Sequence, residues 1–172
     1  MNASTIKTFK RNNCVKKSFL ISIFLATFCS LSSSQTIADC SNPEGYAYYH
    51  YSGIVTKKDA GFQKDKISGG MTSIVKLPNG KYDILIVDIR KTILSMVNDG
   101  GNVVLLRKGN KDATFLHFHP GMVTELYTLW IDSEGKAKFD LIQSKGGDAM
   151  PIHKSSVIVG NCNYINFELI TN

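Results

Sequence analysis

Through most of this chain, apolar residues come in short runs suited to strands, and a turn signal closes each run. Tyr82-Asp83-Ile84-Leu85-Ile86-Val87-Asp88-Ile89 is rich in β-branched residues and follows Asn79-Gly80, a strong hairpin dipeptide. Further turn signals stand at Asn98-Asp99-Gly100-Gly101, Gly109-Asn110, Pro120-Gly121, Asp132-Ser133-Glu134-Gly135 and Gly146-Gly147-Asp148. Between them lie the runs Val103–Arg107, Thr114–Phe118, Val123–Ile131, Ala137–Gln143, Ser156–Val159 and Ile165–Ile170, and Tyr46–Thr56 and Met71–Leu77 precede them. Strands punctuated this regularly predict an all-β domain, an antiparallel meander forming a single β-barrel or a two-sheet β-sandwich. Ile89–Val97 is the one stretch whose spacing suits a helix, and Thr92-Ile93-Leu94 within it suits a strand equally well. Asp83, Asp88, Glu134, Asp140 and Glu168 are expected on the solvent side.

The first 38 residues follow a different pattern. Lys7, Lys10, Arg11, Lys16 and Lys17 form a positive region ahead of an apolar run from Phe19 to Leu31. Thr36 and Ala38 then supply the small residues that a signal peptidase needs for cleavage before Asp39. The apolar run is shorter than the roughly 20 residues required to span a bilayer. Residues 1–38 therefore read as a signal peptide and 39–172 as a single β-rich domain, periplasmic or secreted, that meets a membrane only during export.

Export changes the charge picture. The chain has 20 Lys+Arg against 14 Asp+Glu, but five of the cations and none of the acids lie in residues 1–38. The remainder is nearly neutral, without the basic stripe of a nucleic-acid binder, so nucleic acid is not an expected partner. Of four cysteines, Cys14 and Cys29 belong to the signal, leaving Cys40 and Cys162. An even pair in an oxidising compartment predicts a Cys40–Cys162 disulfide, tying the start of the domain to its last strand.

The chemical candidate is Phe115-Leu116-His117-Phe118-His119-Pro120. On a strand, residues two apart share a face, so His117 and His119 point with Phe115 while Leu116 and Phe118 are expected to face the core. Two imidazoles on one face suit a divalent transition metal such as zinc, copper, iron or nickel. Glu125 lies on the following strand, and register decides its place. A three-residue loop, Pro120 to Met122, sets His117 opposite Glu125; a two-residue loop sets it opposite Thr124 and turns Glu125 away.

The order His117, His119, Glu125 and then the distant His153 resembles the metal motif of the cupin family of β-barrels. The likeness covers about 40 residues, with five residues between His119 and Glu125 where that family has three or four, and with the glycine expected before the first histidine displaced to Gly109. It implies a metal held by His117, His119, Glu125 and His153. The competing reading leaves His117 and His119 as half-exposed strand residues beside a turn.

No nucleophile elbow or phosphate-cradling loop is present. Three functions follow from different classes. The first is an exported, non-enzymatic binding protein, of inhibitor or immunity type, for an unknown protein or small-ligand partner. The second is a cupin-like metal binder or metal-dependent enzyme, and the third a carrier of an apolar ligand in a partly open barrel. The expectation adopted is the first, without a cofactor, and the second is its alternative.

Overall fold

The computed structural model describes residues 33–66, 69–87 and 90–171. Almost every apolar run becomes a strand: β1 (Gln35–Tyr49), β2 (Gly61–Lys66), β3 (Met71–Lys76), β4 (Tyr82–Val87), β5 (Ile93–Ser95), β6 (Asn102–Lys108), β7 (Asp112–His119), β8 (Val123–Ile131), β9 (Ala137–Lys145) and β10 (Lys154–Ile165). A single 3-10 turn, Phe167–Leu169, follows. The ambiguous stretch before Val97 is the strand β5 and a turn; Asp88 and Ile89 lie outside the described residues. The strands form one antiparallel sheet in the order β5-β4-β3-β1-β10-β9-β8-β7-β6, with β2 beside the second half of β1. It is a single curled sheet, a half-barrel, and not a two-sheet sandwich.

Curling brings β4 into contact with β6, although the two are not paired. Tyr82 on β4 packs edge-to-face against Phe115 on β7, with ring centroids 5.1 Å apart, across the interior. Phe115, Tyr127, Leu129 and Phe139 fill the concave side with Ile74, Ile84 and Ile158. A cleft of about 950 Å³ remains between the β4 and β6 sides, lined in part by Tyr82, Val103 and Leu105. The C-terminal segment laces its rim: the Tyr82 hydroxyl donates to the Thr171 carbonyl at 2.6 Å, and Lys108 Nζ donates to the Ile170 carbonyl at 2.7 Å. Ile170 itself is fully buried.

Two sequence expectations are reversed by the fold. Leu116 and Phe118 are on the convex face, and Phe115, His117 and His119 are on the concave one. Asp83, expected at the surface, is buried, where it accepts hydrogen bonds from Ser95 Oγ at 2.6 Å and from the Val97 amide at 3.1 Å. It thereby fixes the turn after β5. On the convex face an in-register apolar row runs through Val104, Leu116, Leu126, Ile142, Val157 and Tyr46, crossing six strands.

β1 is the strand on which the sheet is assembled. Residues from Gln35 to Ser41 pair with β3, residues from Glu44 to Tyr49 pair with β2, and the opposite edge pairs with β10 from Ala38 to Tyr49 with two register shifts. Cys40 and Cys162 are direct cross-strand partners on β1 and β10, joined by a disulfide across 122 residues. Closing a loop of that size stabilises by roughly 4–5 kcal/mol through the unfolded chain. Cys40→Ser/Cys162→Ser should therefore lower the unfolding free energy by about 2–5 kcal/mol in urea melts, and an unchanged midpoint would contradict this role.

Residues 1–32 of the expected signal segment lie outside the described residues, but its last residues do not. Thr36 pairs with Val75, Ile37 and Ala38 are fully buried, and the Ile37 carbonyl accepts from the Asn166 amide at 2.7 Å. Cleavage before Asp39 would remove these contacts. Burial of an isoleucine alone is worth about 1.5–3 kcal/mol. A chain processed at a signal site is accordingly expected to begin at or before Gln35, as mass spectrometry of its N-terminal peptide would show; a chain starting at Asp39 would refute this.

Candidate functional site

The β7–β8 turn determines the site. Its three residues, Pro120 to Met122, leave His119 opposite Val123 and His117 opposite Glu125. Gly121 has φ 74°, a conformation that glycine adopts without a Cβ penalty. Of the two registers compatible with the sequence, this one turns His117, Glu125 and Tyr127 all into the concave side.

There they form a buried polar network. His117 Nδ1 lies 2.7 Å from Glu125 Oε2, and the Tyr127 hydroxyl donates to the same oxygen at 2.9 Å. Gln143 Nε2 donates to Glu125 Oε1, and Ser156 Oγ reaches Gln143 Oε1 at 3.4 Å. His117, Glu125 and Tyr127 are 2%, 5% and 0% exposed, so each polar group depends on the others for its partners. Burial would raise the Glu125 carboxyl. Hydrogen bonds from His117 and Gln143, the charge of the His117 ring and the Tyr127 hydroxyl outweigh it and hold Glu125 below its ordinary value of 4.5. Burial also pushes the Tyr127 hydroxyl well above its ordinary value of 10.0, with the Glu125 charge and hydrogen bond adding to the effect.

Both histidines retain an unpartnered nitrogen. His119 Nε2 is 3.1 Å from the Asp99 carbonyl and donates to it, leaving Nδ1 buried and without a partner. A proton on His117 Nδ1 is shared with Glu125, leaving Nε2 in the same condition. The rings abut the Gly100-Gly101 turn. A Cβ on Gly100 would stand 3.2 Å from His119 Nε2, and one on Gly101 would stand within van der Waals overlap of His117 Nε2. These glycines have a packing reason as well as a turn reason. Both histidines line a cavity of about 280 Å³ at this end of the half-barrel, shared with Met96, Met122, Met150 and Lys145.

The four residues of the cupin-like pattern are thus only partly assembled. His117 and Glu125 meet directly, and His119 lines the same cavity. His153 lines a separate cavity with His50 and Tyr51, its Nε2 3.1 Å from the Gly147 carbonyl. Glu125 acts as the anchor of the His117 ring, since both its oxygens are engaged by side chains. Among the described residues no three His, Cys, Asp or Glu side chains come together as a metal cluster. His117 is not the half-exposed residue of the competing reading.

No family model, curated protein or solved structure matches this chain. No helix among the described residues is long and apolar enough to cross a membrane.

The network was incompletely legible in sequence. Tyr127 shares the face of Glu125 two residues on, a signal available from strand alternation alone. Gln143 depends on the β8–β9 register, and the methionines carry no motif. Glu125→Ala, which strands three buried polar partners, should cost about 3–5 kcal/mol of stability. A carboxyl held below its unfolded value stabilises the fold above that value, and the contribution is lost as pH falls through the folded one. Urea melts from about pH 6 to about pH 3 should show wild type losing stability more steeply than Glu125→Gln; parallel profiles would deny the Glu125 network this contribution.

Proposed function

We propose that this chain is an exported β-domain that works by binding, and that it binds a transition-metal ion in the cavity beneath the Gly100-Gly101 turn. One observation carries the reading: two imidazoles line one cavity, each with one nitrogen tied to a protein oxygen and the other buried without a partner. A buried ring nitrogen without a hydrogen-bond partner is costly. Metal-ligating histidines have this same arrangement, in which a carboxylate or carbonyl fixes the tautomer and leaves the second nitrogen for the ion. His117 Nε2 and His119 Nδ1 are the ligating atoms, with Glu125 and the Asp99 carbonyl behind them.

The Cys40–Cys162 disulfide is consistent with an oxidising compartment, in keeping with export. The reading takes up the metal-binder alternative of the sequence analysis, in place of the protein or small-ligand partner expected first. Elemental mass spectrometry should find one transition-metal ion per chain in untagged protein from the periplasm or medium. The ion should be absent from His117→Ala/His119→Ala. Wild type that takes up no zinc, copper, iron or nickel would overturn the proposal and favour a protein partner.

A further inference from the structure

The ligand inventory of the cavity goes beyond its two imidazoles. The sequence has five methionines, of which Met1 lies outside the described residues and Met71 is on β3. The other three, Met96, Met122 and Met150, all line the 280 Å³ cavity that holds His117 and His119. They arrive from three separate connections. Met96 opens the turn after β5, and its carbonyl accepts from Gly101 at 2.9 Å. Met122 ends the β7–β8 turn, where its amide donates to the His119 carbonyl at 3.1 Å and its carbonyl accepts from Gly146 at 2.9 Å. Met150 lies between β9 and β10, held by its amide to the Gly147 carbonyl at 2.9 Å. Backbone hydrogen bonds thus fix the base of each methionine at the mouth of the same cavity.

Methionine commonly fills gaps in cores. Two features here call for more than filling. His117, with its side chain only 3% exposed, presents an unpartnered nitrogen among these thioethers, and His119 supplies a second. Moreover, most oxygen donors of the cavity are committed: Glu125 is engaged on both oxygens, Gln143 is bonded to Glu125 and Ser156, and Asp99 gives its carbonyl to His119. The Asp99 carboxylate is the one further hard donor, while Lys145 adds a positive charge to the wall. Thioether and imidazole donors beside a lysine disfavour a hard divalent ion and suit a soft monovalent one. Among the described residues the cysteines, Cys40 and Cys162, which would otherwise be the softest donors, are locked in a disulfide away from the cavity.

Building on the metal-binding reading above, we infer that the ion is monovalent copper, held by His117 and His119 together with thioether sulfur from Met96, Met122 and Met150. Binding involves no redox step and displaces no proton from Glu125.

The test uses the exported, disulfide-intact chain under anaerobic conditions. Cu(I) is supplied as its acetonitrile complex, without thiol reductant, against bathocuproine disulfonate as a coloured competitor. Wild type should bind one Cu(I) per chain, and Met122→Leu/Met150→Leu, which preserves apolar volume, should bind it at least about tenfold more weakly. In wild type labelled with ¹³C at the methionine methyls, Cu(I) should shift the signals of the cavity methionines and leave Met71 in place, whereas Zn(II) should not shift them. Metal bound equally by the methionine variant, with no methyl shift in wild type, would overturn the thioether assignment and leave the imidazole site standing. Failure of wild type to bind Cu(I), Cu(II) or Zn(II) would overturn both.

Discussion

The pairing of β1 with β10 is the constraint on which the remaining structure depends. β3, β4 and β5 form one meander and β6 to β10 another, and in the order of the sheet the two meet only where β1 lies against β10. All other neighbours on the main path of the sheet, except β1 with β3, are consecutive strands joined by local connections. The β1–β10 contact must be found across more than a hundred residues, where loop closure is entropically unfavourable. The disulfide sits within this pairing, between residues that face one another in the ladder. Without that join the concave side would have no opposing wall, and Phe115 would have no Tyr82 to pack against.

Closure of this kind also explains why the interior can hold a polar network. Glu125 and His117 are removed from water, which favours neither alone, yet Tyr127 on β8 and Gln143 on β9 join His117 in satisfying the Glu125 carboxylate. β7, β8 and β9 are consecutive, so the network needs only local register to form. Ser156 of β10 and the Gly100-Gly101 turn then close over it. Local strands supply the chemistry and the long-range join supplies the environment.

The division between what the sequence disclosed and what it concealed follows from the same physics. Alternation and turn chemistry located β3, β4 and β6 to β10, because hairpin strands are encoded by nearby residues. The Cys40–Cys162 bond was legible because only two cysteines follow residue 38. The choice between barrel and sandwich was not, since curl depends on how distant strands meet. For the same reason the sequence assigned the wrong face of β7 to the core: Phe115, Leu116, His117, Phe118 and His119 offer large side chains on both faces, and hydrophobicity alone favours the side without histidines. Asp83 was misplaced because its partners, Ser95 and the Val97 amide, become visible only once β5 folds back on β4.

The three-residue turn from Pro120 to Met122 has a consequence for how such a site passes between related chains. Side chains alternate along a strand, so deletion of one turn residue would bring Thr124 opposite His117 and move Glu125 to the convex face. Every residue of the site would still be present, and the site would be gone. Conversely, a single insertion in an ancestor with a two-residue turn would have created the buried pair in one step, from residues already in place. Descent of this site is therefore tracked by the length of one loop, a quantity that residue-by-residue identity does not record.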